Sequence, residues 1–276
     1  MNSRAGEVVV GYDGSSDSEL ALDWADELAA EQGRPLRVLI SEVDPTQVLE
    51  ATSEWHTAKM AELENDVRDR LAAARARDTD HELVDVPPTQ ALIDASARAA
   101  TVVVGARGHS LLSGVVLGSV SQHVARHASC PVVVTRTPYH PDSRRVVVGV
   151  DGSTGSRKAL EFAFDHAGRS GSSVTAVHAW RNNARGYPGT GLVEEIEAAE
   201  RILAESLAGF ADLYPDVQVT PEAIPVAPQR ALADASQAAE LVVVGSRGLG
   251  AFAGLLMGSV SQSVLHHAQC PVAVVR

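Results

Sequence analysis

A glycine-rich stretch that occurs twice contains the residues best suited to chemistry. Val102 to Ser121 reads VVVGARGHSLLSGVVLGSVS, and Val242 to Ser261, 140 positions later, reads VVVGSRGLGAFAGLLMGSVS. Each copy is a short apolar β-branched run, a loop with the pattern G-x2-G-x9-G-S, and the start of an amphipathic segment. Glycine opens the backbone to a ligand, and the amides that begin a helix lack intrahelical partners and attract phosphate. Each copy therefore predicts a phosphate-binding loop.

The two copies remain alike beyond the loop, since 20 of 35 aligned residues between 102–136 and 242–276 are identical. Duplication that preserved structure alone would let loop identities drift, so the retained loop glycines favour a ligand site in both halves. Recent duplication alone would give the same result. Valine at both Gly105 and Gly245 is then expected to abolish binding while leaving the fold native. The pattern glycines and the serines that offer hydroxyl donors are Gly105, Gly108, Gly118, Ser119 and Ser121, with Gly245, Gly248, Gly258, Ser259 and Ser261.

Four charged residues recur near these loops. Asp13 and Asp151 each follow the first apolar run of their half, where an aspartate can accept hydrogen bonds from ribose or hold Mg²⁺ through water. The alternative is that each caps the next helix or stabilises the Asp-Gly-Ser turn. Arg107 and Arg247 lie inside the loops and are candidates for phosphate contact. They are equally well explained as solvated loop residues, and the serines as helix N-caps.

Several familiar sites are absent from the sequence. It has neither the P-loop pattern G-x-x-x-x-G-K-[ST] nor the dinucleotide pattern G-x-G-x-x-G after its first strand. No Cys and His residues have zinc-site spacing, and no serine lies in a nucleophile-elbow context. No residue suggests itself as a catalytic base. These absences favour a binding protein over an enzyme.

Composition limits the partners that the chain can have. The formal net charge of −12 argues against binding to nucleic acid, whose phosphates require a basic surface. No apolar stretch approaches the length of a membrane span, and no signal sequence precedes the first strand, so we expect a cytoplasmic protein. Cys130 and Cys270 occupy equivalent positions before Pro-Val, and we expect them to be reduced and buried rather than bonded to each other.

Strand-like and helical segments alternate through both halves. Val8 to Gly11, Pro35 to Val43 and His81 to Val86 are apolar runs separated by helical periodicity, and the second half repeats this order from Val146. Such alternation predicts right-handed βαβ units and an α/β fold. We expect two tandem doubly wound domains, 1–138 and 139–276, each with a five-stranded, mainly parallel, Rossmann-like sheet. Thr137 to Arg145 has the composition of a linker between them.

The glycine pattern, with an upstream aspartate in each half, resembles that of the universal stress protein family and in particular its two-domain actinobacterial members. The resemblance covers nearly the whole chain. It implies an adenine nucleotide alpha-hydrolase-like fold that binds one ATP per domain, with Asp13 and Asp151 at the ribose and Gly11 and Gly149 beneath the nucleotide. The phosphate contacts that it implies are Gly105, Gly108, Gly118, Ser119, Val120 and Ser121, with Gly245, Gly248, Gly258, Ser259, Val260 and Ser261 in the second half.

The same resemblance implies that second-strand backbone near Glu42 or Ala179 meets adenine. It also implies that the last strand of each half, Val132 to Thr135 and Val272 to Val275, pairs with a domain or chain, so we expect a homodimer. A regulatory protein whose ATP occupancy governs a conformational change or an unidentified protein partner is the first interpretation, with Mg²⁺ as a candidate companion of ATP. The alternative is an enzyme, either a slow ATPase or a relative of the ATP pyrophosphatases.

Overall fold

The computed structural model describes residues 6–43, 53–108, 117–137, 143–181, 190–250 and 256–276. The chain forms two compact units, Met1–Arg136 and Thr137–Arg276. Much of the predicted linker, residues 138–142, lies outside the described residues, as do parts of both loops with the G-x2-G-x9-G-S pattern. The boundary predicted after residue 138 stays a prediction.

The first unit alternates strands and helices in the predicted order. Its described elements are β1 (Val8–Gly11), α1 (Ser16–Gln32), β2 (Leu36–Ser41), α2 (Ser53–Ala72), β3 (Thr79–Val84), α3 (Pro88–Ser96), β4 (Thr101–Gly105), α4 (Ser119–His127) and β5 (Val132–Thr135).

The second unit repeats this order with one addition. Its described elements are β6 (Arg145–Gly149), α5 (Thr154–Ser170), β7 (Ser173–Ala179), α6 (Thr190–Leu207), α7 (Phe210–Leu213), β8 (Val219–Ile224), α8 (Pro228–Ala235), a 3-10 turn (Ser236–Ala238), β9 (Leu241–Gly245), α9 (Ser259–His267) and β10 (Val272–Val275). Helical periodicity in the sequence predicts one helix from Val193 to Phe210. The structure divides it because Gly209 has a φ of 84°, which a continuing helix does not allow.

Each unit has one five-stranded sheet. The strand order is β3-β2-β1-β4-β5 in the first unit and β8-β7-β6-β9-β10 in the second, and the described pairings within each unit are parallel. The central strands are continuous valine runs because helices cover both faces of the sheet. The prediction of two tandem doubly wound α/β domains is confirmed. Strand order reverses between β1 and β4, and between β6 and β9, which makes these the topological switch points.

Local sequence signals fix the helix that follows the first strand of each unit. Ser15 is the N-cap of α1 and accepts a hydrogen bond from the Ser18 amide, and Ser153 does the same for the Ser156 amide in α5. Left-handed glycines end both helices, at Gly33 and Gly171. The two cysteines are free and buried, as the sequence predicted.

A buried polar cluster in the second unit joins α5 to the start of β9. His166 Nε2 lies 2.9 Å from Glu240 Oε1, and the Ser172 hydroxyl donates to Glu240 Oε2 at 2.6 Å. Burial opposes the charge of Glu240, but the hydrogen bonds from His166 and Ser172 outweigh it and lower the pKa of this carboxyl. The cluster therefore stabilises the fold through an ionised glutamate.

We expect Glu240→Gln to reduce the pH dependence of stability in acid. Because the folded-state pKa of Glu240 is lowered, its contribution is present above the unfolded value of about 4.3 and is lost as pH falls through the folded value. The variant should lose about 1–3 kcal/mol of unfolding free energy at pH 7, and this deficit should shrink towards pH 3. Urea titrations at several pH values measure it, with Glu161→Gln, an exposed acid on α5, as the control. A deficit that is constant with pH would contradict the expectation.

Candidate functional site

The candidate site of each unit lies at the carboxyl ends of the two strands that flank the switch point. Gly11 and Gly105 are the last residues of β1 and β4, and Gly149 and Gly245 end β6 and β9. Open α/β sheets bind ligands at this edge. The loops that follow these strands bring the predicted residues together, from Asp13 to the start of α4 and from Asp151 to the start of α9.

A glycine caps the helix that follows each predicted phosphate-binding loop. Gly118 is the N-cap of α4, with φ −72° and ψ 160°, and Gly258 is the N-cap of α9, with φ −75° and ψ 157°. Neither helix receives a side-chain cap bond, unlike α1 and α5. The first helical hydrogen bonds are donated by Gln122 to Gly118 and by Gln262 to Gly258, each at 3.0 Å. The amides before them face the helix terminus with no capping side chain, as an anion site requires.

The serines beside these caps have different environments. Ser119 and Ser259 are the first helical residues and are exposed, so the alternative that they act as N-caps is wrong. The buried Ser121 hydroxyl donates to the Ala106 and Gly118 carbonyls, both at 3.0 Å. Ser261 repeats this arrangement in the second unit. Ser121 and Ser261 therefore use their hydroxyls on the protein itself, so these hydroxyls are not free donors for the predicted phosphate.

Asp13 and Asp151 stabilise the turn that follows the first strand of each unit. Oδ1 of Asp13 accepts hydrogen bonds from the Ser15 amide at 3.0 Å and the Ser15 hydroxyl at 2.6 Å, and Oδ1 of Asp151 accepts from the Ser153 amide at 3.0 Å. The glycine within each turn has a φ of 80°, which explains the Asp-Gly sequence. The turn alternative is confirmed, whereas the helix-capping alternative is wrong because serine provides the cap.

The same aspartates connect the turn to the predicted phosphate-binding loop. Oδ2 of Asp151 accepts the Leu249 amide at 3.0 Å. A Cβ added to Gly108 would lie 2.5 Å from Oδ2 of Asp13, and one added to Gly248 would overlap Oδ2 of Asp151. Burial opposes ionisation of Asp151, but its hydrogen bonds from Ser153 and Leu249 outweigh that effect and lower its pKa. Asp151 is therefore a stable anion and a strong hydrogen-bond acceptor.

The first glycine of each loop allows two backbones to pack directly. A Cβ on Gly105 would lie 2.6 Å from the carbonyl carbon of Asp17 and 2.9 Å from the Ser18 amide nitrogen, and one on Gly245 would lie 2.7 Å from the carbonyl carbon of Gly155. The sequence attributed these glycines to ligand access. In the structure the missing side chains make room for α1 and α5, so this packing conflicts with the expectation that valine there leaves the fold native.

The last glycine of the first strand also faces a helix. A Cβ on Gly11 would lie 3.0 Å from Leu92 Cδ1 on α3, and one on Gly149 would lie 3.0 Å from Leu232 Cδ1 on α8. This packing explains the glycine without a ligand. The implied position of these residues beneath a nucleotide stays a prediction.

The loop arginines differ between the units. The Arg107 amide and Nε donate to Oδ2 of Asp17 at 3.0 and 3.1 Å, so Arg107 is not simply a solvated loop residue. No sequence signal indicates this pair, because an aspartate in the first turn of a helix is expected for the helix dipole alone. Arg247 is exposed. Contact of either arginine with phosphate stays a prediction.

The two residues assigned to adenine are not equivalent. Gly11 pairs with Leu39, and Gly149 pairs with Val177. Counting from these pairs, Ala179 corresponds to Ser41, whereas Glu42 corresponds to Trp180. The hydrogen bonds agree with this register. The Glu42 amide donates to the carbonyl of Val84, the last residue of β3, and the Trp180 amide donates to the carbonyl of Ile224, the last residue of β8. A shift of one residue reverses the face of a strand, so the side chains of Glu42 and Ala179 do not occupy matched positions. Contact of the nearby backbone with adenine stays a prediction.

The surroundings of Trp180 further distinguish the second unit. Its indole stacks near His178 at a centroid distance of 6.0 Å, and Nε1 donates to Glu195 at 2.9 Å. His178 Nδ1 lies 2.7 Å from the Val150 carbonyl, one residue before Asp151. The first unit has Ile40 and Glu42 at the corresponding positions.

No group of three or more His, Cys, Asp or Glu side chains in the described ranges could hold a metal ion. Within the same ranges, none of the helices combines the length and the apolar character that crossing a bilayer requires.

Comparisons with known proteins agree with this architecture. The sequence model of the universal stress protein family matches residues 6–136 and 143–276. The chain is 37% identical over 284 residues to universal stress protein Rv2005c of Mycobacterium tuberculosis, covering 98% of this chain and 96% of that protein. It is 36% identical over 291 residues to universal stress protein Rv2623 of the same species, covering 100% of this chain and 97% of that protein.

A solved structure shares the fold. The crystal structure of a universal stress protein from Archaeoglobus fulgidus superposes with a TM-score of 0.71 and 22% identity, covering 100% of this chain and 99% of that chain. The fold and loops thus define a tandem, doubly wound α/β protein with a glycine-capped helix in each unit. The chain belongs to the universal stress protein family, as the sequence predicted.

Proposed function

We propose that each unit binds one ATP and that the protein is a regulator that responds to nucleotide occupancy. The observation that supports this most directly is the pair of glycine N-caps, Gly118 and Gly258, which leave helix amides at the switch point of each sheet without a capping side chain. The phosphates would lie against the amides of residues 119–121 and 259–261. Asp13 and Asp151, half-buried at the adjoining strand ends, would accept hydrogen bonds from the ribose.

An overall negative charge makes the local field decisive. With a net charge of −12, the protein repels a polyphosphate at long range. Aligned helix amides supply about half a positive charge at each N-terminus, which is effective only at short distance. Mg²⁺ bound to the phosphates would reduce the repulsion further, so we propose that ATP binds as its magnesium complex.

We propose binding rather than rapid catalysis because the carboxylate of Asp151 is a poor base. Asp151 already accepts hydrogen bonds from Ser153 and Leu249, and its lowered pKa weakens it further as a proton acceptor. A slow ATPase remains the alternative function. A cytoplasmic location, homodimer formation and a protein partner remain proposals that come from the sequence.

Equilibrium dialysis with ATP and Mg²⁺ tests the proposal. We expect two nucleotides per chain, with the unfolding free energy raised by about 2.7 kcal/mol for each occupied site at a hundredfold excess over Kd. The same dialysis with inorganic triphosphate separates phosphate from nucleoside recognition. Fewer than one nucleotide per chain at millimolar ATP would contradict the proposal. Rapid ATP turnover that is lost in Asp13→Asn with Asp151→Asn would instead establish the enzyme.

A further inference from the structure

The first unit holds a buried carboxylate beneath its loop arginine. Arg107 donates twice to Oδ2 of Asp17, whose side chain is 3% exposed, whereas the Arg107 side chain is 52% exposed. The other oxygen, Oδ1, is buried and accepts no hydrogen bond from the described part of the chain. The positive charge of Arg107 is therefore balanced by a negative charge that water scarcely screens.

The second unit has no such carboxylate. Gly155, the second residue of α5, takes the place that Asp17 has as the second residue of α1. The Cβ that Gly155 lacks would overlap the Arg247 carbonyl oxygen, so an acidic side chain could enter only if the loop moved. Among the described residues, no ion pair or hydrogen bond engages the exposed Arg247 side chain. Within the described part of the chain, no carboxylate pairs with its charge.

Both arginines begin beside the proposed phosphate amides. A Cβ added to Gly118 would lie 3.7 Å from the Arg107 Cα, and one added to Gly258 would lie 3.7 Å from the Arg247 Cα. The backbone geometry next to the cap is thus the same in the two units. What differs is the charge that accompanies each guanidinium.

We infer that the two nucleotide sites are unequal and that Arg247 makes the second unit the one that favours nucleoside triphosphates over monophosphates. This inference rests on the proposed function. Each added phosphate brings negative charge, which meets an uncompensated guanidinium in the second unit. In the first unit the added negative charge meets an Arg107 guanidinium that Asp17 already neutralises, and the Asp17 carboxylate repels it. The ratio of ATP affinity to AMP affinity should be about tenfold larger in the second unit, the size of one partly exposed charge-assisted hydrogen bond.

The experiment measures each site separately in the full chain. Gly118→Asp places a carboxylate on the amides of the first unit and leaves only the second site, and Gly258→Asp does the reverse. Isothermal titration with ATP and with AMP then gives one affinity ratio per unit. Using the ratio cancels any loss of active protein, because both nucleotides are measured on the same sample.

Three substitutions assign the difference to the charges. In the Gly118→Asp chain, Arg247→Gln should lower the ratio about tenfold. In the Gly258→Asp chain, Asp17→Asn should raise the ratio, because asparagine can still accept from Arg107 but carries no charge. Arg169→Gln is the matched control, since it also removes one positive charge. Arg169 lies in the last turn of α5, at the edge of the sheet opposite the carboxyl ends of the strands, so its substitution should leave the ratio unchanged.

Each result bears on the inference. Equal ratios in the two units, or an unchanged ratio after Arg247→Gln, would overturn it while leaving the proposed function intact. An equal effect of Arg169→Gln would show that net charge alone is responsible and would also overturn it. If the unmodified chain bound neither nucleotide, the proposed function would fall and this inference with it.

Discussion

The unit that carries Gly118→Asp is expected to lose its nucleotide without losing stability. Aspartate is a strong N-cap, and the φ and ψ of Gly118 suit any residue, so its carboxylate would accept from the amides that begin α4. The nearest neighbour of the new Cβ is the Ala106 carbonyl oxygen at 3.3 Å, which a small shift accommodates. The same amides cannot then bind phosphate, and the new charge repels it.

The two effects of this substitution have opposite signs. Helix capping should add a few tenths of a kcal/mol to the unfolding free energy. Placing like charges together should weaken ATP binding by about 3 kcal/mol or more, which is at least about a hundredfold. Equilibrium dialysis should show one nucleotide per chain in Gly118→Asp and none when Gly258→Asp is added, and thermal unfolding without nucleotide should show no decrease.

Gly118→Ala is the control for the added carbon atom. Alanine brings the Cβ without a capping oxygen or a charge, so it should weaken binding far less than aspartate and should slightly lower stability. If the chain with both aspartates still bound two nucleotides, the phosphates would not lie on these helix termini. The assignment of residues 118–121 and 258–261 would then be wrong.

The fold follows from patterns that extend over many residues. The valine runs of β1, β4, β6 and β9 have a composition that only a strand buried on both faces tolerates, and the intervening helical periods require crossover connections. The repeat strengthens the prediction, because the same order of strand-like and helical segments occurs in both halves. The predicted helix from Val193 to Phe210 runs past Gly209 because helical periodicity continues on both sides of a glycine whose φ the sequence does not reveal.

The contacts of the site were less predictable than its location. The pattern glycines indicated the loops, but their physical reasons differ: Gly118 leaves a helix uncapped, whereas Gly105 lets β4 approach the backbone of α1. Sequence spacing cannot separate these cases because both need only an absent Cβ. The Asp17–Arg107 pair joins residues 90 positions apart, and only the packed fold brings them together.

The mismatch of Glu42 with Ala179 has a similar origin. The loops after the second strands differ in sequence between the halves, so an alignment anchored elsewhere can slip by one residue there. Pairing to the first strand removes the ambiguity, since Tyr12 and Val150 donate to the carbonyls of Leu39 and Val177. Backbone register therefore determines which side chains share a face, and pattern matching does not.

Gly105→Ala is expected to be among the most destabilising single-methyl changes in the chain. The new Cβ would lie 2.6 and 2.7 Å from the carbonyl carbon and oxygen of Asp17 and 2.9 Å from the Ser18 nitrogen. These are backbone atoms in the first turn of α1, so no side-chain rotation can relieve the overlap. The helix must move away from β4, which disturbs the Asp17–Arg107 pair as well.

We expect this substitution to lower the unfolding free energy by about 3 kcal/mol, at the upper end of typical overpacking effects, and Gly245→Ala to act similarly through Gly155. Urea unfolding without nucleotide measures the change. Gly250→Ala is the matched control, because a Cβ there would meet nothing within 4 Å. If Gly105→Ala lost nucleotide binding but was as stable as Gly250→Ala, Gly105 would belong to the ligand site. A large loss of stability would instead identify Gly105 as the point where the helix and strand backbones touch.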